Sequence, residues 1–361
     1  MTDTDCINST EIERHIDQVL GDVDKFGLPL VRDVLQEPRD RWYGQLMISV
    51  YDSLSDNQNS ETVLPAAAAI ELLRGSVRLR SRMLVTLTDN HTQTLTQEPT
   101  TALLAGDYLY TAAFSSLHSV PDSRVGDCFK LLTTVLRTIT ETFAYTYTSD
   151  RSTDDGPTTF LDETAGSLGE GAAALGSILA GTDERNRRHV VQFGHGLSIE
   201  RQINHILDAD PNEAMVIPPT FDEAQFRMHA ERRRDDANQA LDALSKSADV
   251  THLRGFSEAT ADTSTTRHVI EQRAYDPAAG PDLTTVIVEA VAAAEGVEMA
   301  SIKQPSLYEV VDIEAVEDAL FGATGPDTRG VTGGSLDFEY RGYQITVHID
   351  GWVQVVELAN Q

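Results

Sequence analysis

The chain has 361 residues, 40% of them apolar, and its 57 acidic and 28 basic side chains give a formal net charge of −29. This length and apolar content suffice for one large domain or two, each with its own core. The negative charge argues against nucleic acid as a direct partner, because phosphate groups would be repelled. No apolar run is as long as a bilayer span and no basic and apolar leader begins the sequence, so we expect a cytoplasmic protein without a transmembrane segment.

The basic residues are almost all arginine, since the sequence contains four lysines. An acidic surface with little lysine is typical of proteins that stay soluble in molar salt, so we expect a halophilic protein. The two cysteines, Cys6 and Cys128, are too few and too far apart for a disulfide framework or a metal cluster. We expect them to be ordinary thiols.

Residues 1–261 are predicted to be helical throughout. Ser9 or Thr10 is a suitable N-cap for the first helix. Apolar residues then recur at helical spacing in 9–57 (as two or three helices), 64–85, 125–147, 164–180 and 222–261. The helix over 64–85 is long and is predicted to be buried.

The sequence pattern changes after residue 261. Residues 262–281 are polar and end in a cluster of proline and glycine, which predicts a linker. One amphipathic helix is predicted over 283–295 and a second from Asp312 to Phe321. Apolar residues then alternate in three short runs separated by Arg341-Gly342 and Asp350-Gly351, which predicts two hairpin turns. Residues 282–361 are therefore predicted to form a small α+β domain with two helices and a three-stranded antiparallel meander.

Three stretches of the helical region carry recognisable motifs. They read A-A-I-E-L-L at 68–73, P-T followed by L-A-G-D-Y-L within 99–109, and F-G-x-x-L followed by Q-I within 193–203. On these residues the region resembles the trans-isoprenyl (polyprenyl) diphosphate synthase family. The resemblance implies an all-helical isoprenoid-synthase-like bundle for 1–261.

The residues that carry chemistry in that family are replaced. The aspartates of its first aspartate-rich motif fall on Ser81, Arg82 and Val85, while His205 occupies an aspartate position of the second motif and only Asp208 remains of that cluster. In the family these carboxylates hold Mg²⁺ against a diphosphate leaving group. The resemblance therefore implies that catalytic and metal-binding residues are lost, and no cofactor is expected.

Cations that hold diphosphate in the family are altered as well. Glu163 stands where the K-T-A-x-L segment has its lysine, and at best Arg41 survives from the G-G-K-R-x-R-P motif. This change also implies lost activity.

Arg74, Arg78 and Arg82 recur every four residues in the helix 64–85 and are predicted to lie on one stripe of its surface. One hypothesis is that the stripe binds a prenyl diphosphate directly, because guanidinium groups suit phosphate. The alternative is that the arginines pair with remaining acids such as Glu71 and fill a cavity without ligand. The candidate ligand-binding residues are Arg74, Arg78, Arg82, Asp107, Gln202, His205 and Asp208.

The last eighty or so residues carry a second resemblance. The matching residues are V-E-A-V-A within 288–292, Leu307, Tyr308, Val311, Asp312, Phe338, Tyr340, Gly342, Tyr343 and Gly351. On these, the region resembles the haloarchaeal output domain found at the ends of signalling and regulatory chains. It contains no recognisable nucleophile, metal cluster or phosphate-binding loop.

Together these features predict a catalytically degenerate synthase-like protein that acts in regulation, sensing or interaction, linked to isoprenoid or carotenoid supply. The resemblance implies a homodimer, or a heterodimer with an active prenyl synthase. One alternative is an active prenyltransferase or terpenoid-processing enzyme with relocated Mg²⁺ ligands. Another is a non-catalytic subunit of a heteromeric prenyl synthase.

Overall fold

The structure is a computed structural model in which two compact units, Met1–Ala261 and Asp262–Gln361, are distinguished. It describes residues 3–21, 28–36, 40–55, 60–88, 99–121, 123–148, 156–207, 214–220, 222–265, 269–275, 281–297, 299, 302, 307–311, 313–321, 335–348 and 351–357.

The first unit is an all-helical bundle, which confirms the predicted fold class. A 3₁₀ turn at Ser60–Val63 precedes the helix that begins at Leu64. A π-helical segment at Asp162–Gly166 joins the helix that ends at Leu161 to the one that begins at Ser167. The helices are α1 (Asp3–Leu20), α2 (Leu30–Gln36), α3 (Trp42–Leu54), α4 (Leu64–Thr88), α5 (Pro99–His118), α6 (Val125–Thr148), α7 (Pro157–Leu161), α8 (Ser167–Ala180), α9 (Glu184–Leu207), α10 (Glu223–Leu244) and α11 (Thr251–Thr265).

Helix α4 is the central helix of this unit and packs against α1, α2, α3, α5 and α8. Four consecutive alanines, 66–69, are fully buried, and their small side chains allow neighbouring helices to approach closely. Two buried serines tie α4 to α5: Ser76 Oγ donates to the Gly106 carbonyl at 2.9 Å and Ser116 Oγ to the Pro65 carbonyl at 2.7 Å. These bonds therefore join α4 to α5 at the first turn of α4 and at its middle.

Helices α8 and α9 approach each other through glycine. A Cβ atom at Gly169 would lie 2.3 Å from the Gly194 carbonyl oxygen and 2.4 Å from the Ser198 Cβ. Two other glycines make similar approaches, Gly176 toward the Met47 carbonyl of α3 and Gly196 toward the Arg233 carbonyl of α10. Glycine is required at such contacts because no side chain fits between the backbones.

The second unit contains α12 (Leu283–Glu295), α13 (Leu307–Val310), α14 (Ile313–Phe321) and a four-stranded antiparallel sheet. Its strands are β1 (Val269–Ala274), β2 (Ser335–Tyr340), β3 (Tyr343–His348) and β4 (Trp352–Glu357), in the order β1-β4-β3-β2. The predicted meander is confirmed as β2, β3 and β4. The turn between β2 and β3 has positive φ at Arg341 and Gly342, as the hairpin prediction requires. Asp312 and Asp350 lie outside the described residues.

The prediction of a linker over 262–281 is wrong for 269–274, which forms β1. Glu271 lies opposite Val355 and Arg273 opposite Val353, so charged side chains of β1 share a face with the buried residues of β4. Arg273 offsets this by pairing with Glu271 at 3.3 Å and with Glu289 of α12 at 3.6 Å. The composition indicated a linker because three consecutive polar residues, 271–273, interrupt the apolar residues of this strand.

Within the described part of the chain, no helix is both long and apolar enough to cross a membrane.

Candidate functional site

The positions of the family's two aspartate-rich motifs lie in the second half of α4 and in the last turns of α9. Arg74 is buried in α4, and its Nε donates to Glu71 Oε2 at 2.8 Å. The other Glu71 oxygen accepts the backbone N–H of Gly44 at 3.0 Å, in the first turn of α3, where helical N–H groups lack intrahelical partners. Both charges are nearly inaccessible to water, with 4% of the Arg74 side chain and 0% of Glu71 exposed. Arg74 therefore neutralises a carboxylate that binds the start of α3.

Arg78 is also buried and points to the end of a different helix. Its Nη1 donates to the Val34 carbonyl of α2 at 3.1 Å, and Arg41 donates to the Leu35 carbonyl next to it. Carbonyls in the last turn of a helix lack intrahelical donors, and the negative end of the helix dipole favours a cation there. Arg41 is further paired with Glu13. Both arginines thus make contacts that stabilise the C-terminal end of α2.

The candidate residues are only partly brought together. Arg74, Gln202 and His205 border one cavity, whereas Arg82 is half-buried on α4 outside that lining and Asp107 is exposed on α5. Asp208 lies outside the described residues. The cavity is bordered by Asp40, Trp42, Tyr43, Arg74, Arg201, Gln202, His205 and Met215. The space in it that water could occupy is about 20 Å³, enough for one water molecule.

Arg201 is a cavity residue that the sequence analysis missed. It pairs with Asp40 at 2.5 Å, and its guanidinium carbon lies 5.5 Å from the centre of the Trp42 ring. The family motif has an apolar Ala-Phe pair immediately before its Gln-Ile, and this chain has Glu200 and Arg201 there. Glu200 pairs with Arg234 of α10 at 2.6 Å. The two charges at apolar motif positions were the available signal, but their partners are too distant in sequence to be identified from it.

The segment 214–217 lies against both motif-bearing helices. Gln202 binds it twice: its Nε2 donates to the Val216 carbonyl at 2.8 Å and its Oε1 accepts the Met215 N–H at 3.0 Å. Met215 and Val216 are buried, and Met215 forms one side of the cavity. Gln202, a candidate ligand-binding residue, therefore holds a segment of the chain itself.

Helices α4 and α6 hold the same segment through Ile217. Its backbone N–H donates to Ser81 Oγ at 3.1 Å, and its carbonyl accepts from the Tyr147 hydroxyl at 3.2 Å. Burial raises the pKa of Tyr147 to about 12, so the hydroxyl remains a donor at neutral pH. Ser81 is one of the residues at the family's aspartate positions, and here it accepts a hydrogen bond from the protein backbone.

The motif positions that the structure describes, which exclude Asp208, do not fit a Mg²⁺ site. Mg²⁺ selects carboxylate, phosphate and water oxygens in octahedral geometry. Ser81, Arg82 and Val85 offer one hydroxyl, one cation and one apolar group, and the α9 end offers Asn204 and His205. Within the described ranges no group of three or more His, Cys, Asp or Glu side chains is arranged to hold a metal ion.

A second cluster of charges surrounds Asp162 in the π-helical segment. His229 Nε2 lies 2.8 Å from Asp162 Oδ1, and Arg233 Nη2 donates to Oδ2 at 2.6 Å. Burial acts to raise the pKa of Asp162, but the hydrogen bonds and charges of His229 and Arg233 outweigh it and lower the pKa below its ordinary value. The carboxylate thus stabilises the junction of α7, α8 and α10.

Replacing Asp162 with asparagine should reduce stability in a pH-dependent way. Because the folded-state pKa is lowered, the contribution of Asp162 is complete above its unfolded-state pKa of about 4 and is lost as pH falls through the folded value. We expect Asp162→Asn to lower the free energy of unfolding by about 1–2 kcal/mol at pH 7 and by progressively less toward acid pH, measured by denaturant titration. Asp242→Asn, in an exposed pair with Arg254, is the control. A loss that is equal at every pH would contradict this role.

Comparisons with known proteins agree with both sequence resemblances. Residues 279–357 match the family Halobacterial output domain 1. No curated protein matches the chain significantly in sequence. One similar solved structure is a geranylgeranyl pyrophosphate synthetase from the archaeon Geoglobus acetivorans, with 19% identity and a TM-score of 0.56 over 71% of this chain and 95% of that one. Another is a geranyltransferase from Helicobacter pylori complexed with magnesium and isoprenyl diphosphate, with 16% identity and a TM-score of 0.58 over 73% of this chain and 98% of that one. A third is the geranyl diphosphate synthase small subunit from Antirrhinum majus, with 18% identity and a TM-score of 0.54 over 72% of this chain and 100% of that one. The chain thus combines an isoprenyl synthase fold with a Halobacterial output domain.

Proposed function

We propose that this protein is a non-catalytic relative of prenyl diphosphate synthases that serves a regulatory or interaction role in a halophilic cytoplasm, linked to isoprenoid or carotenoid supply. The observation that carries the proposal is the hydrogen bond from the Ile217 backbone to Ser81. A position that would hold a metal-binding aspartate in an active synthase is used here to fix the chain's own backbone. The output domain supports the regulatory part of the proposal.

Charge at the site also favours a non-catalytic role. Ionising an allylic diphosphate requires positive charge that stabilises the departing diphosphate. Arg74 binds Glu71 and Arg78 binds the end of α2, so both cations have structural partners. We therefore propose that the two arginines maintain the fold of a former active site.

A non-catalytic subunit of a heteromeric synthase is the second candidate. The likeness to the geranyl diphosphate synthase small subunit from Antirrhinum majus favours it. Apolar side chains on α5 also support association: Leu103 and Leu104 are 49% and 52% exposed, and Tyr110, about two turns further along the helix, is exposed as well. We propose that this face binds either a second copy of the chain or an active prenyl synthase. The mass of the protein in solution, alone and mixed with such a synthase, distinguishes the two.

Calorimetric titration with geranylgeranyl diphosphate in multimolar KCl, once with Mg²⁺ and once with chelator, tests the non-catalytic proposal. Product analysis after incubation with isopentenyl diphosphate and an allylic diphosphate accompanies it. We expect no elongated product in either condition and no dependence of binding on Mg²⁺. Binding that requires Mg²⁺, together with elongated product, would establish the alternative of an active prenyltransferase with relocated ligands and overturn our proposal.

A further inference from the structure

We propose that the segment 214–217 is an intramolecular latch that closes the cavity between α4 and α9 and must move away before a diphosphate can bind there. This inference rests on the proposed function for the identity of the ligand. It concerns how access to that same site is regulated.

The backbone of the segment is unusual because its hydrogen-bond partners are side chains. Residues 214–217 belong to no helix or strand, yet their backbone makes four hydrogen bonds to side chains, two to Gln202, one to Ser81 and one to Tyr147. Buried backbone groups normally find partners in secondary structure or water. Here the partners are three side chains on three separate helices, so the closed position depends on a few contacts at specified atoms.

The position of the segment makes these contacts relevant to access. Ser81 stands at the first motif and Gln202 at the second, so the segment connects the two helices that would face a bound diphosphate. Met215 borders the cavity together with His205 and Arg74. Because the closed cavity admits about one water molecule, a diphosphate fits only after this boundary moves.

Opening should be achievable without unfolding the bundle. The segment contributes two side chains to the main core, Met215 and Val216, whereas α4, α6 and α9 each contribute five or more. Elements with few buried apolar contacts open at lower free energy than the core. A ligand that binds only the open form would shift the equilibrium toward opening by its preference for that form.

Hydrogen exchange and binding together test the latch. We would compare the unaltered protein with Ser81→Ala and Gln202→Leu in molar KCl with chelator. Ser76→Ala is the matched control, because it removes one buried hydrogen bond from the same helix without touching the segment. In Ser81→Ala we expect the Ile217 amide to exchange about tenfold faster, the effect of losing one hydrogen bond. In Gln202→Leu, which loses two hydrogen bonds, we expect the Met215 amide to exchange at least tenfold faster, and in the control we expect neither amide to exchange faster.

Binding is measured with two probes, inorganic pyrophosphate and geranylgeranyl diphosphate. We expect both latch variants to bind at least one probe several-fold more tightly than the unaltered protein and the control do. If affinity rises for pyrophosphate, the diphosphate group alone is sufficient for recognition. If affinity rises only for geranylgeranyl diphosphate, recognition also requires the prenyl chain. Faster exchange without tighter binding of either probe, or unchanged exchange, would overturn the latch. Neither result depends on product formation, so the latch and the non-catalytic proposal fail independently.

Discussion

Replacing Glu71 with alanine is expected to lower the free energy of unfolding by about 3–5 kcal/mol, because it leaves Arg74 buried without its counter-charge. The same change removes the carboxylate that accepts the Gly44 N–H in the first turn of α3. Both losses act at one end of the contact between α3 and α4. Denaturant unfolding in molar KCl, followed by circular dichroism, measures the effect.

Two controls separate the buried pair from general effects of removing charge. Glu141→Ala breaks an exposed pair with Arg137 on α6, where the atoms are 4.0 Å apart, and should cost less than about 1 kcal/mol. The double variant Glu71→Leu with Arg74→Met should recover most of the stability, since replacing both charges removes the unpaired cation. If the double variant is as unstable as Glu71→Ala alone, the pair is not the origin of the loss.

Placing valine at Gly169 should destabilise the first unit by about 3 kcal/mol, at the upper end of the usual cost of overpacking. The added Cβ would meet the Gly194 carbonyl and the Ser198 Cβ, and a backbone carbonyl cannot move aside as a flexible side chain can. Because α9 carries Gln202 and His205, a displaced α9 should also disturb the cavity. Thermal unfolding measures the stability, and exchange of the Met215 amide reports the cavity.

Gly255 supplies the opposite control. It lies in α11, and a Cβ atom added there would have no neighbouring atom within 4 Å, so alanine fits without a clash. Gly255→Ala should raise the free energy of unfolding by about 0.5–1 kcal/mol, because alanine favours the helix and restricts the unfolded chain. If both substitutions were equally destabilising, close packing of α8 and α9 would not explain the requirement at Gly169.

Much of the fold could be predicted because helical spacing of apolar residues is a local property. The periodicity over 64–85 predicts the buried α4, and alternation after residue 335 predicts the meander of β2, β3 and β4. Strand β1 escaped prediction because Glu271, Gln272 and Arg273 interrupt its apolar residues and its partners lie about eighty positions later in β4. A pattern within one segment cannot report such a pairing.

The site was less predictable for the same physical reason. Spacing of four residues placed Arg74 and Arg78 on one stripe, but it could not specify that one binds Glu71 and the other the Val34 carbonyl. Pairing of Arg201 with Asp40 joins positions that are 161 residues apart. The segment 214–217 carries no motif, since it interacts through its backbone.

Strand β1 has a practical consequence for anyone who isolates the output domain. The family match begins at residue 279, whereas β1 ends at Ala274, so a fragment cut at the family boundary would lose an entire strand. The N–H and C=O groups of β4 that β1 now covers would become an open sheet edge, and open edges recruit strands from other molecules. A fragment that starts ahead of Val269 keeps this edge covered, and self-association seen only in the shorter fragment would be an artefact of where the chain was cut.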